Sequence, residues 1–261
     1  MSNFNENTRV QVPAALHLCK LGYEYLDEKD IMAYDHKTNI LTDVFLRSIR
    51  HINPDATGEE VSMLYSKIIN ISDNADLGRE FYALLSANSG VKLVDFENPD
   101  NNEWHVTTEF TCHNDETDDE FRPDITCFVN GMPLAFIEVK KPNNHEGILA
   151  ERDRINVRMS KKCFRSFFNI TQLMIFSNNQ EYDNTNRVPI QGAFYCCSSF
   201  SKAFFNVFRE EDKKFVARFP YLPLSSDIEN KVLRHRNCVV LRSLNEYQTN
   251  KQPTTPTNRI I

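Results

Sequence analysis

Two acids and a lysine stand where an apolar strand pattern would bury them. Glu138 and Lys140 close the run Met132-Pro133-Leu134-Ala135-Phe136-Ile137-Glu138-Val139-Lys140, and Asp124 precedes the run Ile125-Thr126-Cys127-Phe128-Val129. Side chains alternate along a strand, so Glu138 and Lys140 share a side with Phe136, while Ala135, Ile137 and Val139 take the other. Charged groups buried without partners are costly, which marks the strand for chemistry. Two carboxylates are hard oxygen ligands of the kind Mg²⁺ takes at about 2.0–2.1 Å with several waters retained. Such a cation acidifies or positions a water for attack on a phosphodiester and offsets charge at phosphorus. Lys140 would hold that water or the scissile phosphate. Its ordinary pKa is about 10.4 and nearby carboxylates do not lower it, so it acts as a cation. The expected metal ligands are Asp124 and Glu138, and the expected catalytic residues Asp124, Glu138 and Lys140. A bare Asp…Glu-x-Lys spacing also fits a surface hairpin whose Glu138 and Lys140 pair in solvent.

For the three to meet, the chain from Arg122 to Pro142 must form a hairpin about Asn130-Gly131, a strong turn pair. Directly opposed residues of an antiparallel pair point to the same face. A two-residue loop with unbroken pairing sets Val129 against Met132 and Asp124 against Ile137, which puts Asp124 and Glu138 on opposite faces. The expectation is therefore that the Asn-Gly type I′ turn does not form. A three-residue loop, Asn130 to Met132, or a bulge before Asp124 would restore parity.

The flanking elements follow from periodicity. Helices are expected over Val12 to Leu21, Thr42 to His51, from the capping box Thr57-Gly58-Glu59-Glu60 onward through Ile69, and over Ala75 to Ala87. Strands are expected at Val91 to Phe96, Trp104 to Cys112, Thr171 to Ser177 and Gly192 to Cys197. The acidic run Asp115 to Glu120 reads as a solvated loop. Glu146 to Phe168 reads as one charged helix on which Arg154, Arg158 and Lys161 line a face, with Arg152 and Arg165 at its flanks. Arg152, Arg154, Arg158 and Lys161 are the candidates for holding DNA phosphates, against the plain alternative of a solvated face. Phe200 to Phe208 fits a helix or loop, Ser226 caps a last helix to Arg236, and 251–261 resembles a linker.

Composition bounds the rest. With 261 residues, 41% of them hydrophobic, and 19 Phe, the chain can build a sizeable core. A net charge of −6 excludes a polybasic DNA binder, so any nucleic-acid contact is local. The seven cysteines are scattered without a C-x-x-C, which points to a reducing cytoplasm and away from a disulfide frame or zinc site. No signal peptide pattern and no run of 18 apolar residues occurs, so no membrane span is expected. None of the seven glycines begins a G-x-x-x-x-G-K-[ST], so no ATP site is expected.

Asn5-Glu6-Asn7-Thr8-Arg9-Val10-Gln11-Val12-Pro13, Leu21-Gly22-Tyr23, Arg122-Pro123-Asp124-Ile125, Asn130-Gly131-Met132-Pro133-Leu134, Ile137-Glu138-Val139-Lys140-Lys141-Pro142 and Gln172-Leu173 through Ser177-Asn178 together resemble the N-terminal nuclease region of type I restriction enzyme R subunits. Those are PD-(D/E)xK nucleases. The resemblance implies an α/β, restriction-endonuclease-like fold with a mixed central sheet flanked by helices. It divides the chain into a helical layer over 1–90, a nuclease core over 91–240 and a linker over 241–261 towards an ATP-dependent motor. It implies Mg²⁺-dependent hydrolysis of duplex DNA, with Asp124 and Glu138 on the metal and Lys140 catalytic. It also implies methyltransferase and specificity subunits as partners, ATP use by the intact subunit only, and a cytoplasmic location. Some relatives carry a Gln-x-x-x-Tyr pair on the next helix; here Glu151-Arg152-Asp153-Arg154-Ile155-Asn156 stands there, with Arg152 and Arg154 as substitutes. The rival readings are a nuclease-like module that binds DNA or a subunit without cutting, and a stand-alone repair or junction nuclease.

Overall fold

The computed structural model describes Glu6, residues 10–180 except 28, 30, 32, 88, 115, 116, 118, 143 and 145, and residues 192–197, 201–203 and 206–207. The expected helix from Ser226 and the tail over 251–261 lie outside the described residues. Among those residues, seven strands form one sheet ordered as in the sequence: β1 (Glu24–Tyr25), β2 (Trp104–Thr108), β3 (Ile125–Val129), β4 (Met132–Val139), β5 (Leu173–Ser177), β6 (Ala193–Cys196) and β7 (Asn206–Val207). β1 with β2 and β4 with β5 run parallel, and the other neighbours antiparallel. The α-helices are α1 (Val12–Lys20), α2 (Thr42–Ile52), α3 (Gly58–Ser72), α4 (Arg79–Leu85), α5 (Gly147–Met159) and α6 (Arg165–Ile170). This is the expected mixed α/β architecture. A parallel neighbour needs a crossover, and α5 and α6 supply it between β4 and β5.

All eight residues of β4 are buried, as befits a strand covered on both faces. Ile125, Cys127, Ala135, Ile137, Val139, Leu173 and Ile175 pack with Ala14 and Leu18 of α1. On the opposite face Phe136, Met174 and Phe176 pack with Ile148 and Ile155 of α5 and with Phe167 and Phe168 of α6. Around the hairpin tip, Val129, Met132 and Leu134 join Phe45, Val61, Ile68, Phe81 and Leu85 of α2, α3 and α4. The capping box of α3 forms as expected: Thr57 Oγ1 accepts from the Glu60 N–H at 3.2 Å, and the Thr57 N–H donates to Glu60 Oε2 at 2.8 Å.

The hairpin corrects half of the expectation about its turn. The two-residue loop does form, with φ of 50° at Asn130 and 77° at Gly131, the paired positive values a type I′ turn requires. The interior of the protein holds it there. Asn130 is fully buried, and its Nδ2 donates to Leu93 O and Asn102 Oδ1, both at 2.9 Å. Its Oδ1 accepts from the Glu103 N–H at 2.8 Å, while Gly131 O accepts from the Leu41 N–H at 2.9 Å. Parity is restored by the other route, a bulge. Val129 faces Met132 and Phe128 faces Pro133, but Cys127 faces Ala135, Thr126 faces Phe136 and Ile125 faces Ile137, so Leu134 has no opposite number on β3.

Other differences have local causes. The apolar stretch Val91 to Phe96 is not a strand, because side-chain amides take the place of a ladder. Asn53 bonds both the N–H and the C=O of Lys92 at 2.8 Å, and Asn102 Oδ1 accepts from the Asp95 N–H at 2.8 Å. β2 stops at Thr108 instead of Cys112, since Glu109 turns to φ 57° and only the single bridge Cys112 to Phe121 resumes the pairing. α4 starts late because Leu77 and Gly78 adopt φ of 58° and 73°. The expected single helix over 146–168 is two, broken where Lys161 is extended at ψ 130°. Within the Phe-rich segment, Asn206–Val207 pairs with β6 as a strand. Among the described residues no helix is long and apolar enough to cross a membrane.

Candidate active site

The bulge brings Asp124 and Glu138 together. Continuing the register past Ile125 and Ile137 sets Asp124 against Glu138, and the Val139 N–H donates to Asp124 Oδ2 at 2.7 Å. Asp124 is fixed from behind as well, its carbonyl accepting from Gln11 Nε2 at 2.8 Å and from the Glu109 N–H at 3.1 Å. Glu138 is 4% exposed, and its Oε1 is buried without a hydrogen-bond partner. Burial, and then the charges of Asp124 and Glu151, push the Glu138 carboxyl well above the usual carboxylate range. Burial raises Asp124 too, although the Val139 N–H and the Lys140 ammonium pull it back. Two facing acids that hold protons this readily, one with an orphaned oxygen, would gain from exchanging a proton for a divalent cation. Their hard oxygen donors fit Mg²⁺.

Lys140 follows β4 into the same place. Its Nζ donates to Val139 O at 2.8 Å and lies 3.1 Å from Glu151 Oε2, 3.7 Å from Glu6 Oε1 and 3.9 Å from Asp124 Oδ2. Burial alone would lower its pKa, but Glu151, Asp124 and Glu6 outweigh that and hold the ammonium above the ordinary lysine range. Lys141 is exposed, and its backbone N–H donates to Glu6 Oε2 at 2.9 Å.

The basic residues of the following helix do not form one free stripe. Arg154 contacts Glu151 Oε2, and Arg158 Nη1 lies 3.8 Å from Glu151 Oε1 while its guanidinium sits 4.7 Å from the centre of the Phe121 ring. Lys161 pairs with Asp119 of the β2–β3 connection, and Arg152 Nη2 with its neighbour Asp153 at 2.8 Å. Arg154 and Arg158 therefore border the acid site, whereas Arg152 and Lys161 are drawn aside. Two site residues escape sequence reasoning. Glu151 is 2% exposed and shares the buried face of α5 with Ile148 and Ile155; that i−3, i+4 spacing was a usable signal. Glu6 precedes α1; it lies within the Asn5-to-Pro13 motif of the resemblance, but nothing in its pattern marked it as a site residue.

The chain also resembles known proteins along most of its length. The family described as type I restriction enzyme R protein N terminus matches residues 3–187. A protein of Methanocaldococcus jannaschii, provisionally named as the endonuclease subunit of the type I restriction enzyme MjaIXP, is 29% identical over 203 residues. That match covers 69% of this chain and 19% of the relative, so the chain spans about a fifth of that protein's length.

Proposed function

From the premise that this chain belongs to the family of type I restriction enzyme R protein N termini, we propose that it is the endonuclease module of such a subunit and hydrolyses phosphodiester bonds of duplex DNA with Mg²⁺. The observation that carries the reading is the buried acid pair, Asp124 facing Glu138 with Glu138 Oε1 unpartnered and the Lys140 ammonium alongside. A surface hairpin with a solvent-exposed Glu–Lys pair would leave no such group inside.

Asp124 and Glu138 would hold the cation, which when bound supplies an acidified water and offsets charge at the phosphate. The proton that the attacking water gives up passes to solvent, because carboxylates that hold a cation are poor bases. The water oxygen bonds to phosphorus as the bond to the leaving ester oxygen breaks, that oxygen takes a proton from solvent, and negative charge builds on the phosphoryl oxygens in between. The Lys140 ammonium is held where it stabilises that charge. Arg154, at the mouth of the site, is the basic residue best placed to meet a neighbouring phosphate. The motor and its ATP site would belong to another part of the subunit, and methyltransferase and specificity subunits would be the partners in the complete complex.

The test is cleavage of plasmid DNA by the complete restriction complex with Mg²⁺ and ATP. Asp124→Ala, Glu138→Ala and Lys140→Ala are each expected to reduce cleavage by at least about 10³-fold, and Lys141→Ala by little. Calorimetric titration with Mn²⁺ should show binding lost in the two acid variants and kept in Lys140→Ala. Cleavage undiminished in either acid variant would overturn the assignment.

A further inference from the structure

Lys140 and a divalent cation compete for the same carboxylates. The ammonium lies 3.9 Å from Asp124 Oδ2, and an acid pair without a metal is a natural resting place for it. Its nearest contacts, however, are elsewhere: Val139 O at 2.8 Å and Glu151 Oε2 at 3.1 Å. Glu151 reaches in from α5 on the face that carries Glu138, and Arg154 and Arg158 contact the same carboxylate from its other sides. The mechanism described above does not use Glu151. A carboxylate buried to this degree among cations is a poor stabiliser of a fold, because desolvation offsets most of its attraction. Here it has a second effect, since Lys140, the cation within reach of Asp124 at 3.9 Å, lies closer to Glu151 at 3.1 Å.

We propose that Glu151 is a positioning residue that holds the Lys140 ammonium beside the acid pair and off it, so that lysine and metal occupy the site together. The inference rests on the nuclease reading of Asp124 and Glu138. Arg154 and Arg158 anchor Glu151 in turn, so the lysine is fixed from a helix as well as by the Val139 carbonyl of the strand that carries it. In Glu151→Gln the shape is kept and the charge is lost. The strongest partners left to the ammonium are then Asp124 and Glu6, and it closes on Asp124. A metal entering the site must now break an ion pair first.

The experiment is calorimetric titration of the full chain with Mn²⁺ in four forms: unsubstituted, Glu151→Gln, Lys140→Met and the double variant. Glu151→Gln is expected to weaken binding on the order of tenfold. The double variant should return to the affinity of Lys140→Met within about twofold, because no ammonium remains to compete. Unchanged affinity in Glu151→Gln overturns the proposal. So does a loss that persists in the double variant, which would mean that Glu151 acts only through its own charge on the metal. Asp124→Asn separates the two readings. If it loses Mn²⁺ while Glu151→Gln keeps it, only the role of Glu151 fails; if it binds as the unsubstituted chain does, the metal site itself fails and the inference with it. Circular dichroism checks folding in each form. Should Glu151→Gln not fold, Glu151→Asp replaces it, with a smaller loss expected and the same rescue by Lys140→Met.

Discussion

At the scale of single residues, the site stores an unfavourable arrangement that a cation would relieve. Glu138 is nearly inaccessible, faces another acid and has an oxygen without a partner. Because its folded pKa is raised, its contribution to stability is complete below the unfolded carboxylate value near 4.3 and is lost as pH rises through the raised value. The metal-free protein should therefore become less stable as pH rises above the unfolded carboxylate value and through the raised one, and Mn²⁺ should restore it. Glu138→Gln should flatten that dependence and make the metal-free protein more stable than the unsubstituted one above the raised value. Thermal unfolding across the pH range, with and without Mn²⁺, checks this; a Glu138→Gln curve parallel to that of the unsubstituted protein would contradict it. The acids and the lysine were legible in the sequence because they interrupt an apolar alternation. Glu151 was masked in composition by the charges of Glu151-Arg152-Asp153-Arg154, and only its helical spacing from Ile148 and Ile155 set it apart.

At the scale of elements, the sequence spoke clearly wherever a segment satisfies its own backbone or buries one face. The capping box of α3, the apolar run of β5 and the two arms of the β3–β4 hairpin are of this kind. It misled where distant side chains take over. Val91 to Phe96 has strand composition, but Asn53, Asn102 and Asn130 bond its peptide groups, and no local pattern announces that. The turn misled in a related way: parity arguments about the two acids were sound, yet the rule was met by a bulge because α2 and Asn130 already fix the loop. Gly131 is the residue this depends on. At φ 77° a side chain is strained, and a Cβ would stand 2.6 Å from Leu41 O and 2.7 Å from Phe45 N, both backbone atoms. Gly131→Ala is expected to destabilise the protein by about 2–4 kcal/mol, read as a lower urea midpoint at unchanged slope. A loss below about 0.5 kcal/mol would mean that the turn is not held as described.

At the scale of the whole molecule, charge decides how the chain can meet DNA. The net charge is −6, and Arg152, Arg154, Arg158 and Lys161 each have an acidic partner. Nonspecific grip comes from releasing counterions to unpaired cations, and α5 offers few. The isolated chain is expected to bind duplex DNA more weakly than about 10⁻⁵ M near 0.15 M salt, measured by fluorescence anisotropy. Sub-micromolar binding would show that basic residues elsewhere do the holding. On the reading proposed above, delivery of DNA to the site would fall to other parts of the assembly.

The unopposed Leu134 also gives the hairpin slack. The stretch between the two acids is one residue longer than a regular pairing needs, so the loss of one residue from Pro133-Leu134-Ala135 can be absorbed by straightening the strand, with Asp124 still facing Glu138. A residue gained between Phe136 and Ile137 has nowhere to go and turns one acid away from the other. Deleting Leu134 should thus cost about 2–5 kcal/mol of core burial yet leave Mn²⁺ binding in place, while the insertion abolishes it. Length changes in this part of the chain are tolerated in one direction only.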